Sequence, residues 1–249
     1  MLVFFSAILI GLSLGLFGSG GSILTVPVLL YLLKMSPELA IASSLFIVGS
    51  ISLFAAARSS LKRLVSWPHV ALFALPSMFG TYGGAWLGTL ADSRWQLLLF
   101  SILMFMSAIL MWRKKVQTTD ASQALKPMTL IVTGILVGTV TGFVGVGGGF
   151  LIVPVLVLLG GLAMVRSIAT SLVIITLQSS VGFIKYYVTL SAQGAIFDWR
   201  SIAIIIVFGI IGSIVGGAIA NKVPKKQLQR GFALFLLVMA GVVIYQSVL

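Results

Sequence analysis

Seven apolar stretches dominate the chain: Leu39 to Ala57, Val70 to Leu90, Gln96 to Trp112, Met128 to Gly160, Ser167 to Ile184, Ser201 to Asn221 and Gly231 to Leu249. Uncharged apolar runs of about 18 residues or more read as membrane-spanning helices. The composition agrees: 59% of the 249 residues are hydrophobic and 8% charged, against about 25% charged in a soluble domain. The fold class is therefore all-α, a multi-pass protein whose first partner is the lipid bilayer.

A formal charge of +12 raises the question of a polyanionic partner, yet the basic residues sit in short clusters between apolar runs, such as RSSLKR from Arg58 and WRKKV from Trp112. That placement is what membrane orientation requires, and nothing in the chain resembles a nucleic-acid module. The chain has no cysteine, hence no disulfide, thiolate metal site or thiol nucleophile. The N-terminal run MLVFFSAILIGLSLGLFG lacks the basic flank and cleavage site of a signal peptide, and is expected to belong to the folded protein.

Two segments repeat each other. GLFGSGGSILTVPVLL begins at Gly15 and GFVGVGGGFLIVPVLV at Gly142. An offset of 127 maps Gly18, Gly20 and Gly21 onto Gly145, Gly147 and Gly148, and Pro27 onto Pro154. It still holds where ASSL at Ala42 meets ATSL at Ala169, where Ser52 meets Ser179, and where Arg58 meets Lys185. After a short insertion Gly80 and Gly84 meet Gly212 and Gly216. Residues 1–112 read as one repeat, 113–127 as a polar linker and 128–249 as the second repeat, together forming one transmembrane domain.

Charge placement suggests how the copies face. If each glycine segment crosses the membrane once, the best division of the 16 basic residues is nine against seven; if it crosses an even number of times, twelve fall on one side and four on the other. Cytoplasmic loops are enriched in Lys and Arg, so the second division is preferred: inverted repeats, 8 to 10 membrane segments, both termini outside, the linker cytoplasmic. Length argues alike. The first segment, Leu2 to Leu33, would measure about 48 Å as one helix, too long for a core of about 30 Å. A break at the glycines is expected, the helix restarting near Ile23 or Phe150 with Pro27 or Pro154 in its first turn.

Irregular backbone survives in lipid only inside protein or beside a water-filled cavity. A restarting helix aims its free N–H groups and positive dipole end into the break, and two such ends brought together by inversion make a midplane anion site. Candidate substrate-binding groups are the backbone of Gly18, Gly20, Gly21, Gly145, Gly147, Gly148 and Gly149, then Ser19 and Ser22. The hydroxyls of Ser43, Ser44, Thr170 and Ser171 follow, with Gln178. For those hydroxyls, bonding back to a carbonyl one turn away is the competing reading. Arg58 and Lys185 are candidate pathway-mouth residues that concentrate anions, or else long side chains reaching for headgroups. The glycines at 80, 84, 88, 134, 138 and 142 carry small-residue spacing and are read as helix packing.

A glycine knot followed by an apolar stretch and proline, present twice in about 250 residues, resembles the TauE/SafE family of sulfite exporters and related permeases. The likeness runs from Gly11 to about Tyr245, though Ser19 and Ser22 depart from the glycine pattern in the first copy. It implies transport of a small sulfur-containing anion, such as sulfite or an organosulfonate, across the cell membrane.

The acidic residues are Glu38, Asp92, Asp120 and Asp198, all at span ends or in the linker, and the single His69 stands at a span entrance as an interfacial residue. No proton relay is expected at mid-membrane. An intramembrane enzyme needs a nucleophile–base pair or a metal cluster, and this inventory supplies neither; no cofactor or metal is expected. An anion carrier working by alternating access remains, for a sulfur-containing anion or for another small carboxylate or oxyanion, as does an anion channel using the same site.

Overall fold

The computed structural model describes residues 2–18, 20–91, 93–113, 127–144, 149–220 and 222–248. All their regular structure is helical. The helices are α1 Leu2–Phe17, α2 Gly20–Pro27, α3 Pro37–Leu61, α4 Trp67–Leu90, α5 Ser93–Arg113, α6 Pro127–Val144, α7 Gly149–Leu158, α8 Met164–Ala192, α9 Trp199–Ala220 and α10 Lys225–Val248, with a π-helical turn at Val28–Leu32. Five of these, α3, α4, α6, α8 and α9, are long and apolar enough to cross a membrane.

The first apolar segment does break at its glycines. α1 stops at Phe17, Gly18 takes φ +71°, and α2 starts at Gly20. α2 folds back on α1, because a β-carbon on Gly21 would lie 2.6 Å from the carbonyl oxygen of Ile10. In the second copy α6 ends at Val144 and α7 starts at Gly149; Gly145, Gly147 and Gly148 lie outside the described residues.

The restarts come earlier than expected, at Gly20 rather than Ile23 and at Gly149 rather than Phe150. Glycine is tolerated at a helix start, where the first N–H groups are unpaired in any case. In consequence neither proline occupies a first turn. Pro27 closes α2, and Pro154 is inside α7. Proline lacks an N–H and crowds the carbonyl one turn back; a π turn, Val28–Leu32, follows Pro27, whereas α7 runs on as α-helix past Pro154 to Leu158. The two short segments end alike: Met35 N–H donates to Leu29 O at 3.1 Å and Leu162 N–H to Leu156 O at 3.1 Å. The left-handed residue there is Lys34 (φ 52°) in one half and Gly161 (φ 68°) in the other.

Helix packing is set by glycine. α1 lies parallel to α9 and α6 parallel to α4. A β-carbon on Gly11 or Gly15 would land on the carbonyl oxygen of Gly209 or Ser213, and one on Gly138 or Gly142 on that of Ser77 or Thr81. The contacts from the other side match as well, Gly212 and Gly216 against Ile8 and Leu12, Gly80 and Gly84 against Ile135 and Thr139. Position for position the second interface repeats the first. Without a hydrophobic drive between helices in lipid, such backbone-to-backbone approach is what holds them.

α3 and α8 cross antiparallel. Gly49 faces Ser179, Phe46 meets Phe183 at one end, and toward the other Arg58 and Lys62 share a cavity with Val165 and Ile168. The short helices α2 and α7 touch each other and pack against this pair on one side and against α10 and α5 on the other. α8, at 29 residues, is one turn longer than α3, at 25, so most of the insertion seen in the sequence extends the end of α8.

Candidate functional site

The first knot is pressed against α8. Gly18 is buried in its left-handed conformation, its N–H bonded to Leu14 O at 2.7 Å. A β-carbon there would stand 2.8 Å from Ile168 Cγ2 and 2.9 Å from Ser171 Oγ. The Ser171 hydroxyl donates to Gly18 O at 3.2 Å and to Ile168 O at 2.8 Å. The hydroxyl bonds back into its own helix, which was the competing reading, and at the same time it touches the knot. Gly20 and Gly21 form the first turn of α2, whose N–H groups have no partner within the helix itself; Thr25 Oγ1 ties the turn by donating to Gly21 O at 2.6 Å. Ser19 and the side chain of Ser22 lie outside the described residues. Gly149 opens α7 and is buried.

The other hydroxyls separate in role. Ser44 Oγ donates to Ile41 O at 2.8 Å, and Ser43 is buried beside it. Thr170 Oγ1 accepts the N–H of Ser66 at 3.0 Å, which fixes the α3–α4 loop. Gln178, halfway along α8, is 1% exposed, and among the described residues neither atom of its amide has a hydrogen-bond partner. The same holds for the hydroxyls of Ser52 and Ser179, an equivalent pair at the α3–α8 crossing. Sequence reasoning paired those serines without recognising them as site candidates; the signal was there, since hydroxyls at matching places in both halves had singled out Ser43 and Thr170.

His69 is not an exposed interfacial residue. It is buried, with Nδ1 2.8 Å from Ser66 Oγ and Nε2 3.0 Å from Gly160 O. A carbonyl only accepts, so Nε2 carries a proton, and the ring ties the start of α4 to the end of α7.

Arg58 and Lys185 occupy equivalent places with different surroundings. Arg58 Nη1 reaches Ile214 O on α9 at 3.5 Å and lines a cavity of about 60 Å³ that extends down to Gly15, beneath the first knot. Lys185 Nζ stands 5.7 Å from the ring centre of Tyr82 on α4. Among the described residues no three of His, Asp and Glu converge as metal ligands.

The geometry is that of a membrane protein with a broken helix beside buried polar groups, and sequence comparison says which. A family model described as Sulfite exporter TauE/SafE matches residues 3–243. The chain belongs to the TauE/SafE family. Its relatives carry the same general description. A probable membrane transporter protein of Xylella fastidiosa (strain 9a5c) is 33% identical over 246 residues, covering 96% of this chain and 92% of the relative. One from Methanocaldococcus jannaschii is 27% identical, covering 89% and 86%; one from Bacillus subtilis is 25% identical, covering 94% and 93%. No solved structure matches. As a TauE/SafE member the protein is a multi-pass membrane transporter.

Proposed function

We propose that this protein carries a small anion, sulfite or an organosulfonate, across the cell membrane by alternating access between two inverted repeats. The observation that carries the reading is the break at Gly18, whose carbonyl accepts from Ser171 of α8 and after which α2 restarts at Gly20. Inversion is supported by the direction of equivalent helices. α3 and α8 occupy the same place in the two repeats and cross antiparallel, as a two-fold axis lying in the membrane plane requires. The exchange of partners between α1–α9 and α6–α4 has the same origin. The anion is held between the N-termini of α2 and α7, with Ser43 and Gln178 adding hydrogen bonds and the Ser44 and Ser171 hydroxyls turning from their carbonyls to do the same, and Arg58 and Lys185 stand at the two mouths. The linker and the twelve basic residues face the cytoplasm, and both termini lie outside.

Reconstitution into liposomes tests this. Sulfite or a sulfonate placed on one side should cross only when the protein is present, saturably and in competition with related oxyanions. Single-channel current steps in a planar bilayer would replace the carrier with a channel. Loss of all anion flux would remove the reading altogether.

A further inference from the structure

The two mouths are equivalent in sequence position and unequal in structure. On the side of Arg58, the space between α3, α8, α1 and α9 is open as the cavity described above. Its wall carries the guanidinium of Arg58 and the ammonium of Lys62, with small neighbours at Gly15, Ala55, Ala169 and Ser213. Both described carboxylates stand at the far face. Glu38 begins α3, about 30 Å along the helix from Arg58, and Asp198 precedes α9.

The equivalent space between α8, α3, α6 and α4 is filled. Where the open mouth has Ser59, this one has Tyr186, 2% exposed, whose hydroxyl donates to Phe143 O at 3.5 Å. Where the open mouth has Ile214, this one has Tyr82, and the ring draws Lys185 to itself. Gly182 stands for Ala55, and even this gain of room is taken up, since Leu45 Cδ1 approaches its β-position to 3.2 Å and Thr81 Cγ2 to 3.5 Å. Beyond it Phe46, Phe183, Tyr187, Phe197 and Trp199 stack ring on ring with centroids 4.8 to 6.4 Å apart. The places of Phe46 and Phe183 are held on the open side by Val173 and Ala56.

We propose that the Arg58–Lys62 cavity is an anion-binding site of one face only, a waiting place ahead of the knots, and that Tyr186 is the stopper that denies the opposite face an equivalent site. Two cations set in an apolar wall, with no carboxylate near among the described residues, hold a small oxyanion and repel a cation. The waiting role rests on the transport reading; the binding site and the stopper do not.

The natural absence of cysteine makes the test direct. Ala169, which lines the cavity, and Ala42, its equivalent on the filled side, are both alanine and both buried. Ala169→Cys and Ala42→Cys are made singly in the full chain, purified in detergent so that both faces are reached. Each is treated with an anionic thiol reagent, sulfonatoethyl methanethiosulfonate, and a cationic one, trimethylammonioethyl methanethiosulfonate, and every rate is taken relative to that of the same reagent with a small free thiol, since the thiolate itself favours the cation. Ala169→Cys should react about tenfold faster with the anionic reagent, within the range that focused charge gives, and Arg58→Gln with Lys62→Gln should erase that preference. Ala42→Cys should stay unreactive, gain reactivity when Tyr186→Ser is added, and not gain it with Tyr186→Phe, which keeps the ring. Equal rates for the two reagents at Ala169→Cys overturn the anion site. Ala42→Cys reacting as fast as Ala169→Cys without Tyr186→Ser, or staying silent with it while thermal unfolding shows an intact fold, overturns the stopper. Labelling as expected in a protein that moves no anion would leave both standing and remove only the transport reading.

Discussion

Replacing Gly18 with alanine perturbs the knot at the point where the structure leaves least room. A residue with a β-carbon held at φ +71° is destabilised by about 1–2 kcal/mol relative to glycine. The new methyl would also meet Ile168 Cα at 2.9 Å and Ser171 Oγ at 2.9 Å. The first contact is to backbone that cannot swing away, so the overpacking adds about 1–3 kcal/mol. Gly18→Ala should therefore lose about 2–5 kcal/mol and displace the Ser171 hydroxyl from the Gly18 carbonyl. Gly83→Ala is the matched control, because Gly83 lies in α4 with nothing within 4 Å of its β-position, and helix propensity favours alanine there by up to about 1 kcal/mol. Unfolding of both variants in detergent, with anion uptake into liposomes measured in parallel, gives the answer. Gly18→Ala as stable and as active as Gly83→Ala would refute both the left-handed knot and its seat against α8.

Other outcomes follow from the same geometry. Gln178→Leu removes an amide that is buried without a partner among the described residues, which costs about 1–3 kcal/mol per unsatisfied group; the variant should unfold later than wild type while its anion uptake falls, and a destabilised or fully active variant contradicts the assignment. Arg63, left-handed at φ 54° where the other half has Gly194, should gain about 1 kcal/mol on replacement by glycine, read as a higher unfolding midpoint. Gly11→Val drives a side chain into the carbonyl of Gly209 and should abolish folding yield on a fluorescent size-exclusion trace, whereas Gly241→Ala, with nothing within 4 Å, should not change it. Asp198 caps α9 by accepting the Ser201 N–H at 3.1 Å, and hydrogen bonds from Ser201 hold its carboxyl below the usual carboxylate range. Its contribution is thus complete above the unfolded carboxylate value of about 4 and lost as pH falls through the lower folded value; Asp198→Ala should flatten the unfolding midpoint between about pH 5 and 3.

The break at Gly18 was legible because four glycines inside an apolar run have few other uses in lipid, and the packing role of Gly80, Gly84, Gly138 and Gly142 because their spacing leaves a backbone-width groove. The early helix starts were not, since glycine neither marks nor forbids a helix start. Nor was the place of Pro27, which stands at the end of α2 ahead of a π turn rather than in a first turn. Thr170 and Ser171 are neighbours in sequence, yet a rotation of about 100° between them sends one to the Ser66 loop and the other to the knot. Arg58 and Lys185 looked like a matched pair. Their difference is set by Ile214 and Tyr82, and by Ser59 and Tyr186, and which helix faces which is a tertiary fact that no spacing within the chain reveals.

A paired anion site requires the two halves to face opposite ways, and one labelling experiment addresses that alone. Lys62 and Gln193 are the exposed residues that end α3 and α8 at equivalent places. With Lys62→Cys and Gln193→Cys made singly in the cysteine-free chain, intact cells are treated with a membrane-impermeant maleimide. Gln193→Cys should label in intact cells and Lys62→Cys only after the membrane is opened. Labelling of both from the same side would contradict the inverted arrangement and, with it, the paired anion site.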